Sequence, residues 1–395
     1  MNRSPRPIAP IDPVPAFRKI LPHWILSGTL ALVCGCVSHE HIAAGQPAPD
    51  PTPADAGESA FMRPFEAPAL QASPQPVPPD ATEGWKRRMG QWLSNWMREQ
   101  DLEHYREETL AFPATGDNGQ PEQLNQVRLY RGNQPGALPL VIILPIWGSY
   151  DFPPEQIAWL LRARFAGGIH VAMLEGETRL IEWEHMGDAA NTDELRQRAS
   201  ESADRIRVNV IETLRLMDWA ATQADVDGDR LGVVGFSMGA LVASLVSSND
   251  ARPAATVLVM GGADPASILG YCNGRAGETR QSALTRLQLD REAYEQIMRE
   301  SFAGLNAAEY GGRVDPASVL MVEASADDCM PADSRRALWD AMNRPELVSV
   351  EGSHQWAFLA MTPLNGNILS EHIVDFLGER LVPSAPGTTG VGPSP

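Results

Sequence analysis

The pentapeptide Gly235-Phe236-Ser237-Met238-Gly239 is the stretch of this chain best suited to chemistry. It follows an apolar run, Leu231 to Val234, and precedes a run of small residues, Ala240 to Ser248. Between a strand and a helix, G-x-S-x-G marks a turn so sharp that a side chain on either flank would collide. The serine is lifted clear of its neighbours, as a nucleophile must be. A serine hydroxyl attacks poorly at neutral pH on its own. It needs a base to take its proton, a group to orient that base, and N–H donors for an oxyanion.

In elbows of this kind the partners follow in the order serine, acid, histidine. Only His354 and His372 follow Ser237. His354 lies in Glu351-Gly352-Ser353-His354, a loop after the apolar run Leu347 to Val350, and is the expected base. His372 lies inside Ile368 to Leu381, which has a helical pattern, and is expected to be a surface position. The acid should follow the run Val319 to Glu323, where Asp327 and Asp328 both qualify.

Positioning these groups requires a sheet whose strands end at one edge. From about residue 125 strand and helix patterns alternate. Val127 to Tyr130, Leu140 to Ile146, Ile169 to Leu174, Leu231 to Phe236, Ala255 to Met260, Val319 to Glu323 and Leu347 to Val350 read as strands. Pro154 to Phe165, Asp193 to Thr222, Met238 to Ser248 and Ile368 to Leu381 read as helices between or after them. The continuous apolar run at Leu140 suits a strand buried on both faces. The alternation predicts a doubly wound, mostly parallel α/β sheet. Asp264 to Asp315 interrupts it with helical, polar sequence and is expected to be a lid inserted over the sheet.

The segment Asp225-Val226-Asp227-Gly228-Asp229-Arg230-Leu231 through Gly239 resembles the elbow region of the α/β-hydrolase superfamily. It is most similar to the dienelactone-hydrolase-like and prolyl-oligopeptidase-like branches, over roughly residues 125 to 382. The resemblance implies a serine hydrolase with no cofactor and a small-molecule acyl substrate. A carboxylic ester is the expected substrate class. A peptidase or thioesterase of the same fold, or a non-catalytic surface protein retaining it, is the alternative. In those families the acid stands four residues before a proline, which selects Asp327 ahead of Pro331 and leaves Asp328 as the alternative. The family's glycine three residues before the acid is Ala324 here. The resemblance places the oxyanion hole at the N–H of Met238 and at a second donor in Pro145-Ile146-Trp147-Gly148, with Trp147 preferred over Ile146. Dienelactone hydrolases proper use cysteine as the nucleophile, so their substrate is not implied.

Composition narrows the remaining possibilities. Of 395 residues, 43% are hydrophobic, enough for a packed core. A net charge of -18 argues against a nucleic-acid binder, which must bring positive charge to phosphates. The sequence contains no repeat at solenoid spacing and no apolar run of about 18 residues. Asp225, Asp227 and Asp229 lack the glycine and closing glutamate of a calcium loop and fit a turn. Glu182, Glu184 and His185 have no second cluster beside them and are expected to line a loop, so no metal site is expected.

Residues 1 to 35 read as an export signal: Arg18 and Lys19, then an apolar stretch from Ile20 to Val33. Val33-Cys34-Gly35-Cys36 resembles a bacterial lipobox, which implies lipidation of Cys36; an ordinary cleaved signal or a mis-set start codon is the alternative. Val37 favours the outer membrane, so the expected location is the periplasmic side of the envelope, on a lipid anchor. Cys272 and Cys329 then remain in an oxidising compartment as a candidate disulfide. Residues 36 to 84 read as a tether, with ten prolines among the 35 residues from Gln46 to Asp80. Residues 85 to 124 read as an amphipathic helix and a lead-in segment. In Trp85 to Gln100, Trp85, Met89, Trp92, Leu93, Trp96 and Met97 share one helical face, either docked on the domain or lying on a membrane. Residues 383 to 395 form a Pro/Gly/Ser tail.

Overall fold

The computed structural model describes residues 39–42, 69–71, 85–100, 102–111, 126–146, 152–175, 180–310, 312, 314–362 and 368–382. The strands are β1 (His39–Ile42), β2 (Ala69–Gln71), β3 (Tyr105–Ala111), β4 (Gln126–Gly132), β5 (Leu138–Ile143), β6 (His170–Glu175), β7 (Val226–Phe236), β8 (Pro253–Val259), β9 (Val319–Ala324) and β10 (Glu346–Val350). The helices are α1 (Trp85–Arg98), α2 (Phe152–Phe165), α3 (Trp183–Gly187), α4 (Thr192–Ala221), α5 (Met238–Asn249), α6 (Pro265–Tyr271), α7 (Arg275–Leu287), α8 (Arg291–Ser301), α9 (Ala332–Ala341), α10 (His354–Ala360) and α11 (Ile368–Leu381).

The strands form one sheet in the order β1-β10-β9-β8-β7-β5-β6-β4-β3-β2. Pairing is parallel from β10 through β9, β8, β7 and β5 to β6, and antiparallel at both flanks. β5 is apolar and buried at every position because both faces of the sheet are covered there. Leu140 and Ile142 enter one core with α4 and α5, while Val141 and Ile143 enter the other with α2 and α11. The expected doubly wound sheet is therefore present, and the helical insertion with it: α6, α7 and α8 lie between β8 and β9. Tyr294, Ile297 and Met298 of α8 are buried in the same core as α4. The insertion is thus part of the packed domain on that face.

Three features lie outside the span from residue 125 in which strand and helix patterns alternate. β3, Tyr105–Ala111, lies in the lead-in segment, before residue 125. Two pieces of the tether are strands: β1 pairs with β10 and β2 with β3, one at each edge of the sheet. An edge strand needs only the free N–H and C=O groups of its neighbour, so no hydrophobic alternation announces it. The amphipathic helix α1 is docked on α2. Met97 is buried, Trp96 packs against the ring of Trp159, and Arg162 donates to the carbonyls of Met97 (2.7 Å) and Arg98 (3.2 Å). The guanidinium thereby brings a charged donor to carbonyls of the helix's last turn, where intrahelical donors run out.

Two buried polar clusters fasten the flank beside the central strands. Arg128 of β4 donates to Glu155 of α2, to Glu175 at the end of β6 (2.6 Å) and to the Tyr130 hydroxyl (2.7 Å). Burial opposes the charge on Arg128, but Glu155, Tyr130 and Glu175 more than offset it, so the guanidinium stays protonated. Burial also pushes the Tyr130 hydroxyl up to about 12. In the second cluster, the Gly132 N–H donates to His170 Nδ1 (3.0 Å), so the proton sits on Nε2, which donates to the Asp225 carbonyl (2.9 Å).

Burial holds the His170 pKa below its ordinary value of 6.5. The unfolded chain therefore binds this proton at a higher pH than the folded one does. The contribution to stability is complete above about pH 6.5, falls as the pH drops towards the lower folded value, and is level below that. Urea midpoints measured from about pH 8 to about pH 5 are expected to decline, and His170→Gln is expected to lessen the decline. An equal decline in the variant would place its source elsewhere.

Candidate active site

Parallel pairing brings the carboxyl ends of β5, β7, β8, β9 and β10 to one edge of the sheet, where the loops between strand and helix emerge. Hydrogen bonding continues past the strand ends. Ser237 N–H donates to the Val259 carbonyl (2.8 Å), Met260 N–H to Val322 (2.6 Å), Ser325 N–H to Val350 (2.8 Å) and Ala326 N–H to Gly352 (2.9 Å). The loops that follow β7, β8, β9 and β10 are thereby fixed to one another.

Ser237 sits between β7 and α5 with φ 52°, ψ −112°. A non-glycine residue with positive φ costs on the order of 1–3 kcal/mol and persists only where its surroundings hold it. The glycines make the turn possible. A Cβ on Gly235 would lie 2.1 Å from the Gly239 carbonyl oxygen, and one on Gly239 would lie 2.5 Å from the Pro145 carbonyl oxygen. That second approach also brings the loop after β5 against the start of α5.

His354 is the first residue of α10, one step beyond the loop expected to carry it, with Ser353 capping the helix. Its Nε2 lies 3.1 Å from Ser237 Oγ and its Nδ1 lies 2.8 Å from Asp327 Oδ2. Asp327 and His354 are 4% and 8% exposed, so this chain is largely shielded from competing water. The ring of His354 also meets Phe358 edge-on. Asp327 Oδ1 accepts the N–H groups of Cys329 (2.8 Å) and Met330 (2.7 Å), which set the carboxylate's orientation.

Asp328 is exposed and does something different: its Oδ1 accepts the backbone N–H of His354 at 3.3 Å. Met238 opens α5, so its N–H has no acceptor within the helix and points with the positive end of the helix dipole. Ile146 is half-buried in the loop beside it, whereas Trp147 lies outside the described residues, as does Cys36. His372 lies on α11, away from this chain of bonds, and its Nε2–H donates to Glu346 Oε1. Asp225 and Asp227 form ion pairs with Arg131 and Arg230 at the start of β7. Glu182 lies 3.7 Å from Arg205, and His185 is exposed on α3 with Glu184.

Sequence reasoning paired Cys272 with Cys329 but did not find that this pair joins the inserted helices to the loop of Asp327. Cys272, which ends α6, is joined to Cys329 by a disulfide. The Tyr271 hydroxyl donates to the Asp327 carbonyl (3.3 Å), and Asn273 N–H donates to the Asp328 carbonyl (3.3 Å). The insertion is tied at its other side by Thr279 to the Trp183 carbonyl and by Ser282 to the Gly187 carbonyl.

Comparison with known proteins adds the following. A family model described as alpha/beta hydrolase domain containing 18 matches residues 197–297, from within α4 to within α8 and across the elbow. No curated protein matches the sequence. Among solved structures, an acetyl xylan esterase from Paenibacillus sp. R4 is 14% identical with a TM-score of 0.51, over 77% of this chain and 97% of that one. A 2,6-dihydroxy-pseudo-oxynicotine hydrolase is 18% identical with a TM-score of 0.47, over 70% of this chain and 68% of that one. An acylaminoacyl peptidase from Pyrococcus horikoshii is 12% identical with a TM-score of 0.46, and the match spans 44% of its length.

The disulfide closes a separation of 57 residues. On the chain-entropy account it stabilises by about 4 kcal/mol. Because it ends beside the two N–H donors that hold Asp327, loss of both thiols (Cys272→Ser with Cys329→Ser) is expected to lower Tm and to lower kcat more than it raises KM. A lowered Tm with unchanged kcat would make the bridge a stability element alone.

Proposed function

We propose that this chain, which has the α/β-hydrolase fold, is a serine hydrolase that cleaves a carboxylic ester through an acyl-enzyme on Ser237. The observation that carries this reading is the unbroken chain from Asp327 through His354 to Ser237, with contacts of 2.8 and 3.1 Å. Asp327 holds the imidazole with its proton on Nδ1, which leaves Nε2 free to take the Ser237 proton as Oγ attacks the acyl carbon. The Met238 N–H, with a second N–H from the loop after β5, receives the oxyanion. His354 returns the proton to the leaving alcohol and then activates the water that releases the acid. The chemistry uses protein groups throughout.

A fluorophosphonate probe is expected to label Ser237 in the native chain and not in Ser237→Ala, and turnover of short acyl esters is expected to fall about a million-fold in the variant. A folded native chain that never reacts with the probe would overturn the reading. Faster turnover of peptide amides or thioesters than of esters would shift the substrate class and leave the nucleophile in place.

The signal-like N-terminus supports a place of work. Lipidation at Cys36 would hold the hydrolase on the periplasmic side of the outer membrane. On fractionation the native chain is expected to sediment with membranes and Cys36→Ser to become soluble. A native chain found in the soluble fraction would favour a simply cleaved signal.

A further inference from the structure

At the far edge of the sheet, three ligand-type side chains meet from segments distant in sequence. His41 belongs to β1, Glu346 opens β10 and His372 lies on α11. His41 Nε2 is 2.8 Å from Glu346 Oε1, and His372 Nε2 is 3.0 Å from the same oxygen. All three ligand atoms lie within 4.8 Å of one another. The two imidazole rings meet edge to face with centroids 5.6 Å apart, and both Nε2 atoms reach the same carboxylate oxygen. The other carboxylate oxygen, Oε2, faces Arg380 at 3.9 Å, which leaves Oε1 for this cluster.

We infer that His41, Glu346 and His372 form a zinc site that clamps β1 to the edge of the sheet. Two neutral imidazoles and one carboxylate are a ligand set that suits Zn²⁺, with water as the fourth ligand. Tetrahedral bonds of about 2.0–2.2 Å place ligand atoms about 3.4 Å apart, so the two nitrogen–oxygen contacts, 2.8 and 3.0 Å, would open by about half an ångström around the ion. Glu346 is mostly covered, whereas His41 and His372 are about half open to solvent, which provides a route for the ion.

The position indicates a structural role. Glu346 is at the amino end of β10, and the candidate base follows the carboxyl end of the same strand. Four residues at about 3.3 Å each put the cluster about 13 Å from that end. β1 is a four-residue strand paired only with β10. Such a short edge strand has few bonds of its own, and metal ligation from it would convert binding energy into strand docking.

The test uses the mature chain stripped with a chelator and titrated with ZnCl₂ by calorimetry, with Tm read in parallel. One zinc per chain and a raised Tm are expected. His372→Ala, and separately His41→Ala, should each weaken binding at least tenfold, since loss of even an outer-shell partner of a metal ligand typically costs that much. His41→Ala is included because its side chain lies on an outlying strand and the central sheet does not depend on it. Labelling of Ser237 by the fluorophosphonate should be the same in all three chains, which separates this inference from the hydrolase reading. Zinc affinity unchanged in both variants, or no saturable binding below millimolar zinc, would overturn it.

Discussion

The parallel register of β5, β7, β8, β9 and β10 is the constraint on which the rest of the site depends. Parallel pairing obliges every carboxyl end to emerge at one edge, and each functional group stands within a few residues of such an end. Ser237 directly follows β7, Asp327 follows β9 by three residues, and His354 follows β10 by four. A shift of one residue in β7 would turn its apolar set to the opposite face and point the elbow away from the histidine. Gly232 opposes that shift: a Cβ there would lie 2.9 Å from the Leu381 side chain, so a one-residue slip would drive Leu231 or Val233 into α11.

The elbow is strained, and its neighbours hold the strain. The positive φ of Ser237 is maintained by its N–H bond to Val259 and by the two glycines that let Gly239 approach Pro145. The sheet above it is well enough packed to absorb a cost on the order of 1–3 kcal/mol. What this cost provides is a half-buried hydroxyl held against His354 at the start of a helix, where the first N–H groups are free to meet negative charge.

The acid is held differently. Asp327 lies on a loop, not on a strained turn, and its orientation comes from two backbone N–H groups, from His354 and from the inserted helices. The disulfide to Cys272 and the Tyr271 hydroxyl join the acid's loop to α6. The segment expected to shape access to the site is therefore also attached to its machinery.

The sequence by itself determined the central elements and the candidate nucleophile. A G-x-S-x-G turn, a continuous apolar run and a helical stripe are local patterns, set by contacts within about ten residues, and they survive in a single chain of letters. His354 was legible for the same reason, by elimination along the chain. Tertiary structure alone decided which side chains meet across distance. It brought the carboxylate of Asp327 to the imidazole and gave Asp328 to the backbone of His354. It paired pieces of a proline-rich tether with both sheet edges, docked α1 on α2, and gathered His41, Glu346 and His372. Each of these is a long-range contact whose partners carry no shared periodicity, so nothing short of the folded register could specify it.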